Sequence, residues 1–139
     1  MVRSFSTYWF ASLVLALMML LASISASIAQ GAGAERFDGE WKFNLRMRGG
    51  NVQCDGVEWK NSTATGGKIV GQLYHGQVGA IPLTGTVSPT GQISIQAFNS
   101  FVNGSASGQV EGNTASGKFD AQVDIENCRG TWTATRLEK

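Results

Sequence analysis

The sequence predicts an all-β protein: an antiparallel up-and-down meander of seven or eight strands closing into a small barrel, preceded by an N-terminal signal helix. Three observations carry this. Apolar residues alternate with polar ones at a period of two nearly everywhere after residue 38, and no 3.6-residue apolar stripe occurs there. The links between alternating runs are short and rich in Gly, Asn and Pro, too short for the crossovers that parallel strands need. All 18 glycines fall after residue 30, many inside the alternating runs.

The N-terminal segment comes first. Arg3 supplies a positive charge, Tyr8 to Ala22 is almost uninterruptedly apolar, and Ser27-Ile28-Ala29 has the small-x-small form of a signal-peptidase site. Residues 1–29 are therefore expected to be a signal peptide, with Gln30 the new N-terminus. Ala32-Gly33-Ala34 fits the same local rule but lies farther from the apolar run. The alternative is an uncleaved anchor, since about 20 apolar residues can span a bilayer, although Ser23, Ser25 and Ser27 weaken the end of the span. Residues 30–37 read as a flexible mature N-terminus and 38–139 as one barrel domain. Without Arg3 the remaining ten basic and ten acidic residues cancel, which argues against a nucleic-acid or anionic-membrane binder.

The first strand, Gly39 to Arg48, alternates without a break: Trp41, Phe43, Leu45 and Met47 point one way, Lys42, Arg46 and Arg48 the other. A polar, glycine-containing loop is expected from Gly49 to Gly67, with a doubtful short strand at Asp55 to Lys60. Further strands are expected at Lys68 to His75, Ala80 to Val87, Gln92 to Val102, Ser105 to Glu111, Ala115 to Ile125 and Arg129 to Leu137. Ser88-Pro89-Thr90-Gly91 has type I turn chemistry, and Asn103-Gly104 is a strong hairpin signal. Gly112-Asn113 and Glu126-Asn127 supply the next turns. An open meander of this size leaves two bare edges, and closing into a barrel removes them.

Gly-x-apolar recurs at Gly39, Gly71, Gly85, Gly91, Gly108, Gly117 and Gly130, each glycine sharing a face with the apolar residue two positions on. Glycine weakens an ordinary strand, so either the strands bend there or the inner face is thinned to fit large rings opposite. Parity places Phe119, Val123 and Ile125 inward on the sixth strand, with Lys118, Asp120, Gln122 and Asp124 outward. Small eight-stranded barrels are either filled by side chains or hold one small ligand. A ligand would be lined by Phe43, Leu45, Leu73, Ile95 and Phe119.

Two cysteines, Cys54 and Cys128, lie in the exported part, where an even pair reads as a disulfide. The alternative is a pair of free thiols. Little in the sequence suggests catalysis. His75 is the lone histidine, expected at a rim and hydrogen-bonded locally. No set of His, Cys and carboxylates at ligand spacing suggests a metal, and no motif suggests a cofactor. Asp124 and Glu126 share a face at a strand end, where carboxylates are normally solvated. The basic face Lys42, Arg46 and Arg48 is expected to be a wet outer surface pairing with Asp120 and Asp124. Trp59, on its long loop, is a candidate for recognition or for a lid. Asn61-Ser-Thr63 and Asn103-Gly-Ser105 match a glycosylation sequon that matters only in a eukaryotic host.

Gly39-Glu40-Trp41 opening the first strand, with Arg136 late in the last, resembles the calycin superfamily of lipocalin, avidin and bacterial metalloprotease-inhibitor barrels. The resemblance implies that Trp41 closes one barrel end with Arg136 packed across its ring; Trp132, in Gly130-Thr-Trp132, makes a second candidate plug. A Cys54–Cys128 bridge departs from the short-range bridge of the protease inhibitors. The expectation is an exported, periplasmic or secreted, non-enzymatic binding protein, taking a small apolar ligand or a protein. Its alternatives are an inhibitor of an exported protease or hydrolase, acting through residues 30–36 or the Trp59 loop, and a structural envelope protein without a pocket. No contact with nucleic acid is expected, and contact with a membrane only through an uncleaved signal segment.

Overall fold

The computed structural model describes residues 33–48 and 54–138. The expected signal segment, with the cleavage site expected after Ala29, and residues 30–32 lie outside the described residues, as do 49–53 and 139. Eight strands follow one another as β1 (Gly39–Met47), β2 (Val57–Thr65), β3 (Lys68–His75), β4 (Gly79–Val87), β5 (Gln92–Phe98), β6 (Val102–Glu111), β7 (Thr114–Val123) and β8 (Glu126–Arg136). Each pairs antiparallel with the next, and β1 pairs with β8 from Trp41↔Arg136 to Met47↔Gly130, so the meander closes.

Alternation becomes burial as expected. Trp41, Phe43, Ile69, Leu73, Ile81, Leu83, Ile93, Ile95, Phe119, Val123 and Trp132 fill the interior, while their sequence neighbours face out. The rings of Phe43 and Trp132 meet mid-barrel, 5.1 Å between centroids and tilted by 37°, an arrangement aromatic pairs favour. Glycines oppose the large rings. A side chain at Gly130 would sit 2.9 Å from Phe119, and one at Gly108 would sit 2.5 Å from Trp132. The inner wall is thinned where the rings lie.

Four expectations need correction. The second strand is nine residues long and occupies much of the expected Gly49–Gly67 loop. It was hidden because the pairing register shifts between Trp59 and Asn61, which switches the inward residues from odd (Val57, Trp59) to even (Ser62, Ala64) numbers. A bulge of this kind breaks the period-two pattern. The fifth strand stops at Phe98, and Asn103-Gly104 lies inside β6, not in a hairpin turn. The turn belongs to Asn99. Its Oδ1 accepts from the N–H groups of Phe101 and Val102, each at 2.8 Å, and its Nδ2 donates to the carbonyls of Val78 (3.1 Å) and Ala80 (3.0 Å). Gly104 is instead an inward position, where a Cβ would come within 2.9 Å of Ala121.

The last turn is Asp124-Ile125, not Glu126-Asn127, since Val123 pairs with Glu126. Asp124 takes the left-handed φ of 56°, which Asp tolerates better than most residues. Ile125, expected inside, is therefore on a turn tip and 78% exposed. Finally, in place of a flexible tail, Ala34–Phe37 forms a 3-10 helix with Ala34 and Phe37 buried.

That helix helps to close one end of the barrel. Trp41 Nε1 donates to the Phe37 carbonyl at 3.0 Å, and the Arg136 guanidinium lies 5.1 Å from the Trp41 ring centroid while donating to the Arg36 carbonyl at 2.7 Å. Trp41 thus plugs this end with Arg136 across its ring. Trp132 does not plug an end; it crosses the middle of the barrel.

Ser62 ties β2 to β1 at the point where their ladder stops, after Gly39↔Ala64 and Glu40↔Thr63. It is 1% exposed. Its hydroxyl donates to the Trp41 carbonyl and accepts from Trp59 Nε1 at 3.0 Å. Ser62→Ala removes both partners at once in a dry site. It is expected to lower stability by about 1–3 kcal/mol, read as a shift in the urea midpoint, with Ser62→Thr losing less.

Candidate functional site

The two ends of the barrel differ. At the end holding Trp41, the inward side chains Phe37, Val87, Ile93 and Val110 are buried, and the space left is about 20 Å³, enough for one water. At the other end the inward side chains Leu45, Met47, Val57 and Ala97 are only half-buried. Beneath them lies a cavity of about 80 Å³ with no oxygen or nitrogen exposed on its wall. An apolar cavity of about 150 Å³ holds one six-carbon ring, so this space takes on the order of three or four carbon atoms. Phe43 and Trp132 form its floor.

The cavity brings together all five residues nominated from the sequence: Phe43, Leu45, Leu73, Ile95 and Phe119. They come from β1, β3, β5 and β7, and they meet because alternation turns the same parity inward on each strand. Sequence reasoning missed Val57, hidden by the bulge, and Val102, assigned to the end of the wrong strand. Ala97 shares the parity of Ile93 and Ile95 and was legible. The disulfide also borders the cavity: Cys54 and Cys128 are bonded, with Cα atoms 5.5 Å apart, and tie the segment before β2 to β8 at this end.

Other nominated residues are placed elsewhere. Trp59 lies on strand β2 rather than on a loop, half-buried against the core and bonded to Ser62. His75, buried at the end of β3, uses both ring nitrogens on backbone. Nδ1 accepts from the Gln77 N–H at 3.3 Å, which leaves Nε2 to donate to the Asp55 carbonyl at 2.7 Å. It pins the segment after Cys54 to the β3–β4 turn. Asp55, Glu58 and Tyr74 border the shallow outer recess beside it. Glu58 is held below the usual carboxylate range by its 2.8 Å bond to Lys60 and by that ammonium's charge. Among the described residues, no three His, Cys, Asp or Glu side chains gather closely enough to hold a metal ion.

The basic face of β1 is convex. Lys42 and Arg46 lie opposite Thr135 and Thr131 of β8. Asp120 lies 3.9 Å from Arg129, on β8, and not from a β1 cation. Asp124 has become a turn residue. Threonine neighbours, and not acidic ones, therefore flank these basic side chains along β8.

No family model, curated protein or solved structure matches this chain. No helix among the described residues is long and apolar enough to cross a membrane.

Proposed function

We propose that the chain is an exported, non-enzymatic binding protein of calycin-like type that takes a small apolar ligand, the end of an alkyl chain, into the cavity at the disulfide end of the barrel. The observation that carries this is the cavity itself, about 80 Å³ with a wholly apolar wall. An apolar pocket of this kind rewards burial of hydrocarbon and offers nothing to orient a polar reactant. Arg136 over Trp41 supports the calycin kinship. The apolar N-terminal run and the Cys54–Cys128 bridge support a periplasmic or secreted location. The inhibitor reading needs a free segment, but Trp59 is packed on a strand and residues 34–37 are docked under the barrel.

The test is thermal denaturation with straight-chain alcohols from methanol to octanol. Stabilisation is expected to rise to a chain of about three or four carbons and to fall once the chain outgrows the cavity. A saturating ligand at a hundred times its Kd would contribute about 2.7 kcal/mol. Ala97→Phe, which fills the space from the half-buried end, is expected to abolish the effect while the protein stays folded. Equal response of wild type and Ala97→Phe, or none along the whole series, would remove the reading.

A further inference from the structure

We propose that the cavity end of the barrel docks on the surface of an electrically neutral lipid bilayer through Phe98, Phe101 and Ile125. The three side chains are 67%, 56% and 78% exposed. Phe98 ends β5 on the outer face, Phe101 lies in the β5–β6 turn, and Ile125 is on the β7–β8 turn tip. The two turns are joined directly, the Asp124 N–H donating to the Phe101 carbonyl at 2.7 Å. The three exposed apolar residues therefore sit on or next to adjoining turns at one end of the barrel.

Turn chemistry does not demand them. The Asn99 carboxamide closes one turn and the positive φ of Asp124 shapes the other, so Phe101 and Ile125 are free to be polar at no cost to either. The turns at the opposite end follow the usual rule: Gly66-Gly67, Ser88-Pro89-Thr90-Gly91 and Gly112-Asn113 carry no large apolar residue. Among the described residues, exposed hydrophobics on hairpin tips are confined to the end where the cavity lies.

Area and charge choose the occupant. Three such side chains offer on the order of 400 Å², about half of the roughly 800 Å² per partner in a stable protein interface. A bilayer needs no complementary shape and accepts apolar tips that enter its interfacial layer. The flanking charges are mixed, Asp124, Glu126 and Asp120 beside Arg129 and Arg48. They lack the basic cluster that an anionic surface would select. Docking in this orientation sets the cavity end against acyl chains; that ligand route, unlike the docking, rests on the binding function proposed above.

The experiment is co-flotation of the full protein, as recovered from the soluble fraction of expressing cells, with phosphatidylcholine vesicles. The variant is Phe98→Ser/Phe101→Ser/Ile125→Ser. The wild type is expected to float with the vesicles at low and at high salt, and the variant's bound fraction to fall about tenfold or more. The variant should keep its circular dichroism spectrum and its stabilisation by butanol, so docking and cavity binding are read separately. The proposal is overturned by wild type that does not float, by a variant that floats as well as wild type, or by binding confined to anionic vesicles and lost in salt. It is equally overturned if ultracentrifugation shows that the substitutions dissolve a dimer instead, which would make a second copy the occupant.

Discussion

Replacing Cys54 and Cys128 together by alanine is expected to lower the unfolding free energy by about 4 kcal/mol, among the largest effects available in this domain. The two residues are 74 positions apart. In the chain-entropy account, a bridge closing a loop of roughly 75 residues removes on the order of 4 kcal/mol of freedom from the unfolded chain. A domain of this size typically has about 5–15 kcal/mol in total, so the reduced protein would keep a small margin. The melting temperature should fall by roughly 15–30 °C. Serine in place of alanine should be worse, because both sulfurs are almost fully buried against the apolar cavity, and a hydroxyl there would lack a partner. Paired urea titrations of oxidised, reduced and double-alanine protein check this. A loss below about 1 kcal/mol would mean that the unfolded chain gains little freedom when the bridge is removed.

The same bridge shows how much of this molecule was legible. Alternation gave the barrel because each strand is solvated on one face and buried on the other, and period-two patterns survive wherever pairing is regular. β3 was read to the residue, Lys68–His75, and the cavity residues Phe43, Leu45, Leu73, Ile95 and Phe119 followed from parity alone. What failed was local. One shifted residue between Trp59 and Asn61 reversed the parity of β2 and made half a strand look like loop. At the β5–β6 turn, Asn103-Gly104 carried the stronger hairpin signature, yet the chain turns at Asn99. The choice was made by distant groups: the Asn99 amide reaches the carbonyls of Val78 and Ala80, and Gly104 is needed where Ala121 leaves no room for a side chain. Tertiary contacts of this kind have no local trace. The site was therefore half legible: its wall could be read from the strands, but its size depends on how Phe43 and Trp132 meet, and its apolar rim on where the turns fall.

The glycines carry the second large expectation, which is that Gly117→Ala will lower stability by about 3 kcal/mol or more. Gly117 and Gly108 are directly opposite one another on β7 and β6, and Trp132 of β8 is registered beside Gly117. A Cβ on Gly117 would fall well inside contact distance of the Ser107 carbonyl oxygen and 2.7 Å from the Gly108 Cα. Backbone cannot yield as a flexible side chain does, so the strands would have to part, at the upper end of overpacking costs or beyond. Gly108→Ala strikes the Ser116 carbonyl and the Trp132 ring in the same way. Two glycines act as controls. Gly112 has a φ of +64° with nothing within 4 Å, so alanine there should cost only about 1–2 kcal/mol of left-handed strain. Gly76 has neither positive φ nor a close neighbour, and alanine should be neutral or slightly stabilising through the unfolded chain. The order Gly117, Gly112, Gly76 in urea midpoints separates steric exclusion from conformational strain; equal losses at all three would refute the packing argument. Because the glycine pair is what lets the Trp132 indole lie across the barrel, with its Nε1 donating to the Ser107 carbonyl at 3.2 Å, any Gly108→Ala protein that still folds should have a displaced cavity floor. Its preferred alcohol chain length should then shift away from that of the wild type.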